Sequence, residues 1–292
     1  MPSVISNTAK QSAADIRDFR EVFAEFAREI PADAWEQPTG SRNKDWTLRQ
    51  TMAHLVAIAQ AFNRAAQAAV TQMPLLTPGI EKRGDLRAWN RSQIAELSYV
   101  APEALVERLL VELDFAAQYL TGLSDDDLHQ TAHLRVYGRP ATASDFLDFQ
   151  ISHAGVVHGA QVTRPLDQPP LWERFPSSLQ HRSIERFLRQ MAVAYWPEYG
   201  GEALRAINFS IGGENGGEWH TWAGSEGATV YEGNSEDASF TMRCADVNAL
   251  FGLFTVHLPL RDAIQGGAIQ FEPDWRSVMD FLDLFAPTEP RL

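Results

Sequence analysis

Cysteine is almost absent. Cys244 is the only one in 292 residues, so the chain can form no internal disulfide and no cysteine-based zinc site. Long hydrophobic runs are missing too. No stretch of 18 apolar residues exists, which leaves nothing to span a membrane, and residues 1–10 lack the apolar core of a signal peptide. With a single thiol, this fits a cytoplasmic setting. Positive charge is scarce: 25 Lys and Arg stand against 38 Asp and Glu, a net charge of −13. Such a surface repels phosphate backbones and anionic headgroups, which disfavours nucleic acid and membrane partners. The chain has no glycine-rich phosphate loop, no Gly-x-Ser-x-Gly elbow, no cysteine nucleophile motif and no internal repeat. The pairs Gly212-Gly213 and Gly216-Gly217 read as a hairpin turn rather than a nucleotide site.

What remains is an ordinary globular composition, 45% hydrophobic and 22% charged. At roughly 150 residues per domain, the length suggests two. The first half has helical periodicity. Ile16, Phe19, Phe23, Phe26 and Ile30 form one stripe over residues 13–30, which Pro31 ends. Residues 47–70 read as a second helix with Asp45 as a cap, and residues 86–97 as a third. Pro102 opens a further helix over residues 103–120, and residues 142–162 give the last. Long helices without strand signals between them predict an antiparallel four-helix bundle.

Residues 163–178 carry Pro165, Pro169, Pro170 and Pro176 and mark a boundary. We therefore expect a bundle over 1–165, a proline-rich linker over 166–180 and a second domain over 181–292. In that second domain the period falls to two. After a helix over 184–195, strands are expected at 206–211, 218–223, 228–231, 239–244 and 268–271. Asp246 caps a short helix, and residues 275–285 form a closing one. This predicts an α+β domain with an antiparallel sheet.

Three histidines stand in the strongest helices: His54, His153 and His158. At 100° per residue His54 lies at the edge of its apolar face, where it can point into a bundle. Inward side chains on facing helices make bundle metal sites, and neutral imidazole is their commonest ligand. The plainer reading is three partly buried, hydrogen-bonded histidines. His153 and His158 are five apart, about 140° on a regular helix, whereas paired ligands on one helix normally sit four apart. A π-bulge near Gly155 would bring both to one face. Otherwise the helix is regular and the site is incomplete, with His54 and His153 as its remnant; the spacing favours this second outcome.

The stretch Asp45-Trp-Thr-Leu-Arg-Gln-Thr-Met-Ala-His54-Leu resembles the second-helix motif of the DinB-like superfamily. The upstream Asp33-Ala-Trp35-Glu-Gln-Pro-Thr39 is similar to the corresponding segment of its mycothiol-dependent maleylpyruvate isomerase branch, and Trp89-Asn90 and the segment from Leu123 to Leu128 fit as well. The resemblance covers roughly residues 13–165. It implies a divalent metal, zinc or nickel, held by three side chains: a second-helix histidine, matched by His54, and a His-x-x-x-His or Glu-x-x-x-His pair on the fourth helix. His153 matches one member of that pair. Phe149 and Val157 occupy the positions four before and four after it, and His158-Gly-Ala-Gln161 looks like the family's ending shifted by one residue.

Residues 184–285 resemble the sterol carrier protein type-two fold, through the run from Ala238 to Leu250 and that from Pro259 to Phe271. That resemblance implies a tunnel for a lipid-like or other apolar ligand. Trp219, Trp222 and Phe251 are candidate lining residues, and Arg243 and Arg261 a candidate carboxylate fork. Core packing and surface ion pairs are the competing assignments. Bundle and carrier-like domain together resemble the thiol-dependent maleylpyruvate isomerases. That implies a metal-dependent isomerase or S-transferase acting on a small organic acid or electrophile, with a low-molecular-weight thiol as co-substrate. The alternative is a non-catalytic binding protein for an apolar ligand, with a degenerate metal site.

Overall fold

A computed structural model describes residues 4, 8–40, 46–75, 85–134, 137–200 and 203–285. The first helix, α1 (Ala9–Arg28), buries Ile16, Phe19, Phe23 and Phe26, the stripe read from the sequence. Helix α2 (Leu48–Thr71) starts at Thr47. The Thr47 hydroxyl accepts from the Gln50 amide, and the Gln50 side chain accepts from the Thr47 amide, a reciprocal cap. Thr47 therefore caps the helix, and the expected cap, Asp45, lies outside the described residues. Helices α3 (Leu86–Leu97) and α4 (Pro102–Gly122) follow as expected, the latter with Pro102 in its first turn. The polar stretch after them holds a short α5 (Asp125–His129), capped by Ser124, and a two-residue ladder of β1 (Thr131–Ala132) with β2 (Ala141–Thr142). Polarity hid these elements, because a five-residue helix leaves no periodicity to read.

The last bundle helix is not continuous. It runs as α6 (Ala143–Ile151), passes through a π-helical turn (Ser152–Val157) and resumes as α7 (Gly159–Thr163). Helix α1 packs on α4 and α6, and α2 on α4 and α6, which makes the four-helix core. No helix among the described residues is long and apolar enough to cross a membrane.

Segment 163–178 is anchored at its middle. Leu171 and Trp172 are buried, and Trp172 Nε1 donates to Asn248 Oδ1 at 2.8 Å. Helix α8 (Ser177–Ala194) then lies against the bundle through charge. Its Arg182, Arg186 and Arg189 recur every three or four residues along one face. They meet Asp15 of α1 and Asp145 and Asp148 of α6. Arg186, Asp15 and Asp148 are wholly buried, and Arg186 Nε reaches Asp148 Oδ1 at 2.6 Å. Burial alone would raise the Asp148 carboxyl, but Arg186 and Arg189 outweigh it and hold the group below its ordinary range. A short α9 (Pro197–Gly200) follows.

The remaining strands are β3 (Arg205–Ile211), β4 (Gly217–Gly224), β5 (Gly227–Glu232), β6 (Phe240–Cys244) and β7 (Ile269–Glu272). They form one sheet in the order β5-β4-β3-β6-β7. Three pairings are antiparallel, but β3 and β6 run parallel, with Ile207 beside Phe240 and Ile211 beside Cys244. The sheet is thus mixed rather than antiparallel. Strand β6 returns to the far side of β3 from β4, and strand periodicity carries no information about direction. Between β6 and β7 lie α10 (Val247–Phe254), capped by Asp246, and α11 (Leu260–Gln265); α12 (Trp275–Leu282) closes the chain.

Candidate metal centre

His54 sits on α2 with its ring turned into the bundle and is 4% exposed. The π-helical turn brings it two partners. The His158 amide bonds to the His153 carbonyl, five residues back, at 3.1 Å, so the bond that defines the turn joins the two histidines themselves. The extra residue is absorbed and both imidazoles face α2. Ring centroids are 5.2 Å apart for His54 and His153, 4.9 Å for His54 and His158, and 4.7 Å for His153 and His158. The regular helix favoured by the spacing is therefore overturned, and the bulged alternative is the one found.

Packing explains why glycine stands inside the turn. A Cβ on Gly155 would lie 2.6 Å from Phe175 Cζ and 2.8 Å from Phe19 Cε2. Those two rings pack edge to face, 5.7 Å apart, and press on the turn from outside. A second tie comes from Ser152, whose hydroxyl donates to Gln190 Oε1 at 2.6 Å, while Gln190 Nε2 donates to the Tyr137 hydroxyl at 2.9 Å.

One donor atom from each histidine lies within 4.8 Å of the other two. Tetrahedral zinc with bonds of about 2.0–2.1 Å needs nitrogens roughly 3.4 Å apart, which side-chain shifts under about 1 Å supply. His158 Nδ1 lies 2.6 Å from Gln161 Oε1. A carbonyl oxygen only accepts, so the His158 proton is on Nδ1 and Nε2 is left with its lone pair. Burial pushes His158 down to about 4 despite that bond. His54 and His153 are held well below the ordinary imidazole range, first by burial and then by the facing rings. All three are therefore neutral at pH 7, the form that binds metal. Trp46 packs 5.0 Å from His54 and Phe62 5.9 Å from His153, which gives the cluster apolar walls. His153 is the most exposed of the three and marks the open side.

Sequence reasoning brought the three histidines forward but passed over the side chains that brace them. Gln161 stands three residues after His158, one helical turn on, and was visible only as the end of the His158-Gly-Ala-Gln161 run, without a role. Trp46 was visible in the second-helix motif without a role. Asn90, on α3, was visible beside Trp89 in the resemblance, likewise without a role.

The residues proposed for an apolar ligand have other partners. Trp219 is buried, with its ring 5.4 Å from His181. Phe251 is buried between Trp172 and Phe187, at 5.7 and 5.8 Å. Trp222 is half-buried on β4, beside Thr229 of β5. Arg243 pairs with Glu272 across β6 and β7 at 3.4 Å, both side chains exposed, and Arg261 is exposed on α11. Trp219 and Phe251 take part in core packing, and Arg243 is engaged by a neighbouring strand.

Comparison with known proteins agrees with this architecture. A family model of the DinB superfamily matches residues 15–162. Two crystal structures of the mycothiol-dependent maleylpyruvate isomerase are similar over 84% of this chain and 88% of theirs, at 13% and 14% identity and TM-scores of 0.51 and 0.50. YfiT from Bacillus subtilis, described as a probable metal-dependent hydrolase with an unusual four-helix bundle topology, is 20% identical over 58% of this chain and 95% of its own, with a TM-score of 0.43. No curated protein matches the chain by sequence. At these identities the likeness to the isomerase structures speaks for the fold alone.

Proposed function

The chain belongs to the DinB superfamily, and on that premise we propose that it is a metal-dependent enzyme acting on a small molecule. His54, His153 and His158 hold a divalent ion, zinc or nickel. The observation that carries this reading is the convergence of three neutral imidazoles through a π-helical turn. Three nitrogen ligands leave one tetrahedral position open, the pattern of catalytic rather than structural zinc. When bound, such an ion acts as a Lewis acid that polarises a carbonyl or lowers the pKa of a thiol or water.

The chain's own residues have separable tasks. Gln161 fixes the tautomer of His158. Burial keeps the rings unprotonated, and Trp46 and Phe62 exclude water from two sides. The more exposed His153 gives the substrate its way in. We infer a small organic acid or electrophile as substrate, with a low-molecular-weight thiol as co-substrate. Support comes from the fold shared with an isomerase described as mycothiol-dependent. The alternative is a non-catalytic binder of a lipid or other apolar ligand with a degenerate metal site; its motive was the missing four-residue spacing, and the π-helical turn weakens that motive.

Zinc titration by calorimetry tests the metal. The wild-type chain should take up one ion, and His54→Ala should bind it at least about a hundredfold more weakly, as expected for loss of one ligand in three. Equal binding by both proteins would place the ion elsewhere, and no binding by either would remove the metal from the reading. Maleylpyruvate with mycothiol is the first substrate pair to assay.

A further inference from the structure

Helix α2 is rich in alanine and poor in charge, with Arg49 near its start and Arg64 further on as its only Lys, Arg, Asp or Glu residues. Gln60, Arg64 and Gln67 stand four and three residues apart and so share one face of the helix. With Asn63, and with Glu112 and Phe115 of α4, they line a cavity of about 210 Å³. That is the room of roughly seven water molecules. Arg64 and Gln67 are exposed, so the cavity opens to solvent. Its inner wall is fixed by Asn63, which is buried. Asn63 Nδ2 donates to the Glu112 carbonyl at 3.0 Å and to Glu112 Oε2 at 2.7 Å, and its Oδ1 accepts from Gln150 Nε2 of α6 at 2.6 Å. The Glu112 carboxylate is thereby pinned in place. Arg64 lines the same cavity but forms no ion pair among the described residues, with Glu112 or with any other group. Two opposite charges thus face one small space without closing it on each other.

We propose that this cavity between α2 and α4 binds a small zwitterion of the α-amino-acid class, its ammonium on Glu112 and its carboxylate on Arg64. A guanidinium presents a planar fork that matches a carboxylate, and an ammonium needs acceptors, which a carboxylate supplies. The carboxamides of Gln60 and Gln67 offer both donors and acceptors and serve either pole. Phe115 gives an apolar wall for the substituent on the ligand's α-carbon, and the volume keeps that substituent small. A plain anion would meet the pinned Glu112, and a plain cation would meet Arg64. The site therefore selects a molecule that carries both charges, by repelling those that carry one. It shares no residue with the histidine cluster and stands whether or not a metal binds there.

The test uses the full chain and L-alanine as the probe, with propionate and ethylamine as its two single-charge halves. Nitrogen–proton correlation spectra follow the side-chain amides of Gln60 and Gln67 through each titration. L-Alanine should shift both and saturate with a Kd of about 1 mM. Propionate and ethylamine should each bind at least about tenfold more weakly, having lost one charged contact and met one opposing charge. Arg64→Gln and Glu112→Gln keep hydrogen bonding at either pole and remove its charge. Each should weaken L-alanine at least about tenfold. Arg64→Gln should also narrow the gap to ethylamine, and Glu112→Gln the gap to propionate. No shift at about 50 mM L-alanine overturns the proposal. So does propionate or ethylamine binding as well as L-alanine, which would make this a site for a single charge. Wild-type binding by both variants overturns it too. Should a variant not fold, the three probes on the wild-type chain still decide.

Discussion

The histidine cluster and the Asp–Arg cluster are both buried, and both join α6 or its π-helical continuation to a neighbouring helix. In the Asp–Arg cluster three cations face three anions, with Arg186 lodged between Asp15 and Asp148. Its charges answer one another, and it offers no lone pair to an outside ligand. In the histidine cluster burial has removed the charge, and one ring nitrogen of each histidine lies within 4.8 Å of the others. The first arrangement joins helices. The second is incomplete as it stands and calls for a cation. Burial of polar groups does not distinguish a joint from a site; the balance of donors and acceptors does.

The comparison breaks most forcefully at Arg186. Arg186→Leu leaves Asp15 and Asp148 buried around an apolar side chain. Removing one partner of a buried ion pair costs about 3–5 kcal/mol. A drop of that size in urea unfolding free energy is expected, while replacing Asp15, Asp148 and Arg186 together by apolar residues should recover most of it. A loss under about 1 kcal/mol for the single variant would show that water or rearrangement relieves the carboxylates.

Acid should separate the two clusters in time. The folded-state pKa of each histidine lies below its unfolded value. Between the two, the unfolded chain binds protons that the folded chain refuses, so stability falls with falling pH. For His158 that window runs from about 6.5 to about 4. Three such groups give a slope of up to about 4 kcal/mol per pH unit. Asp148, lowered from 3.8, contributes stability that is present above that value and lost only below it. Chemical unfolding across pH 7 to 3 should therefore show a histidine phase first and a carboxylate phase after it. Zinc should deepen the first by competing with protons. A stability flat from pH 7 to 5 would mean that the histidines are not buried neutral.

A smaller effect is expected at the turn. Gly155→Ala forces a methyl between Phe19 and Phe175. Overpacking of this kind costs about 1–3 kcal/mol. Zinc affinity should fall with it, because the turn that gives way carries two ligands. Unchanged affinity with reduced stability would separate the turn's packing from its aim.

How much of this was legible depends on whether the cause was local. The apolar stripe of α1, the proline at the start of α4 and the cap at Asp246 are local, and each element formed near its expected place. The phase of His54 was local too. The conformation between His153 and His158 was not. Two geometries fit the five-residue spacing, and the choice is made by Phe19 and Phe175, distant in sequence, pressing on Gly155. The parallel pairing of β3 with β6 was hidden for the same kind of reason. The Asp–Arg cluster did leave a trace, in Asp15 set inside an apolar stripe and arginines recurring along one face of α8. Each half reads as an ordinary surface charge until the other is placed against it.

The same cluster bears on where the chain can be divided. Composition suggests a cut in the proline-rich segment, and the family match ends at residue 162. A bundle ended there keeps Asp15 and Asp148 and loses the arginines that answer them, all of which lie on α8. Two carboxylates would then line a cleft shaped to receive a guanidinium. An excised bundle would need α8 retained, or both aspartates neutralised. In electrostatic terms α8 belongs to the helical half, and a fragment cut from the bundle should keep the whole of that helix.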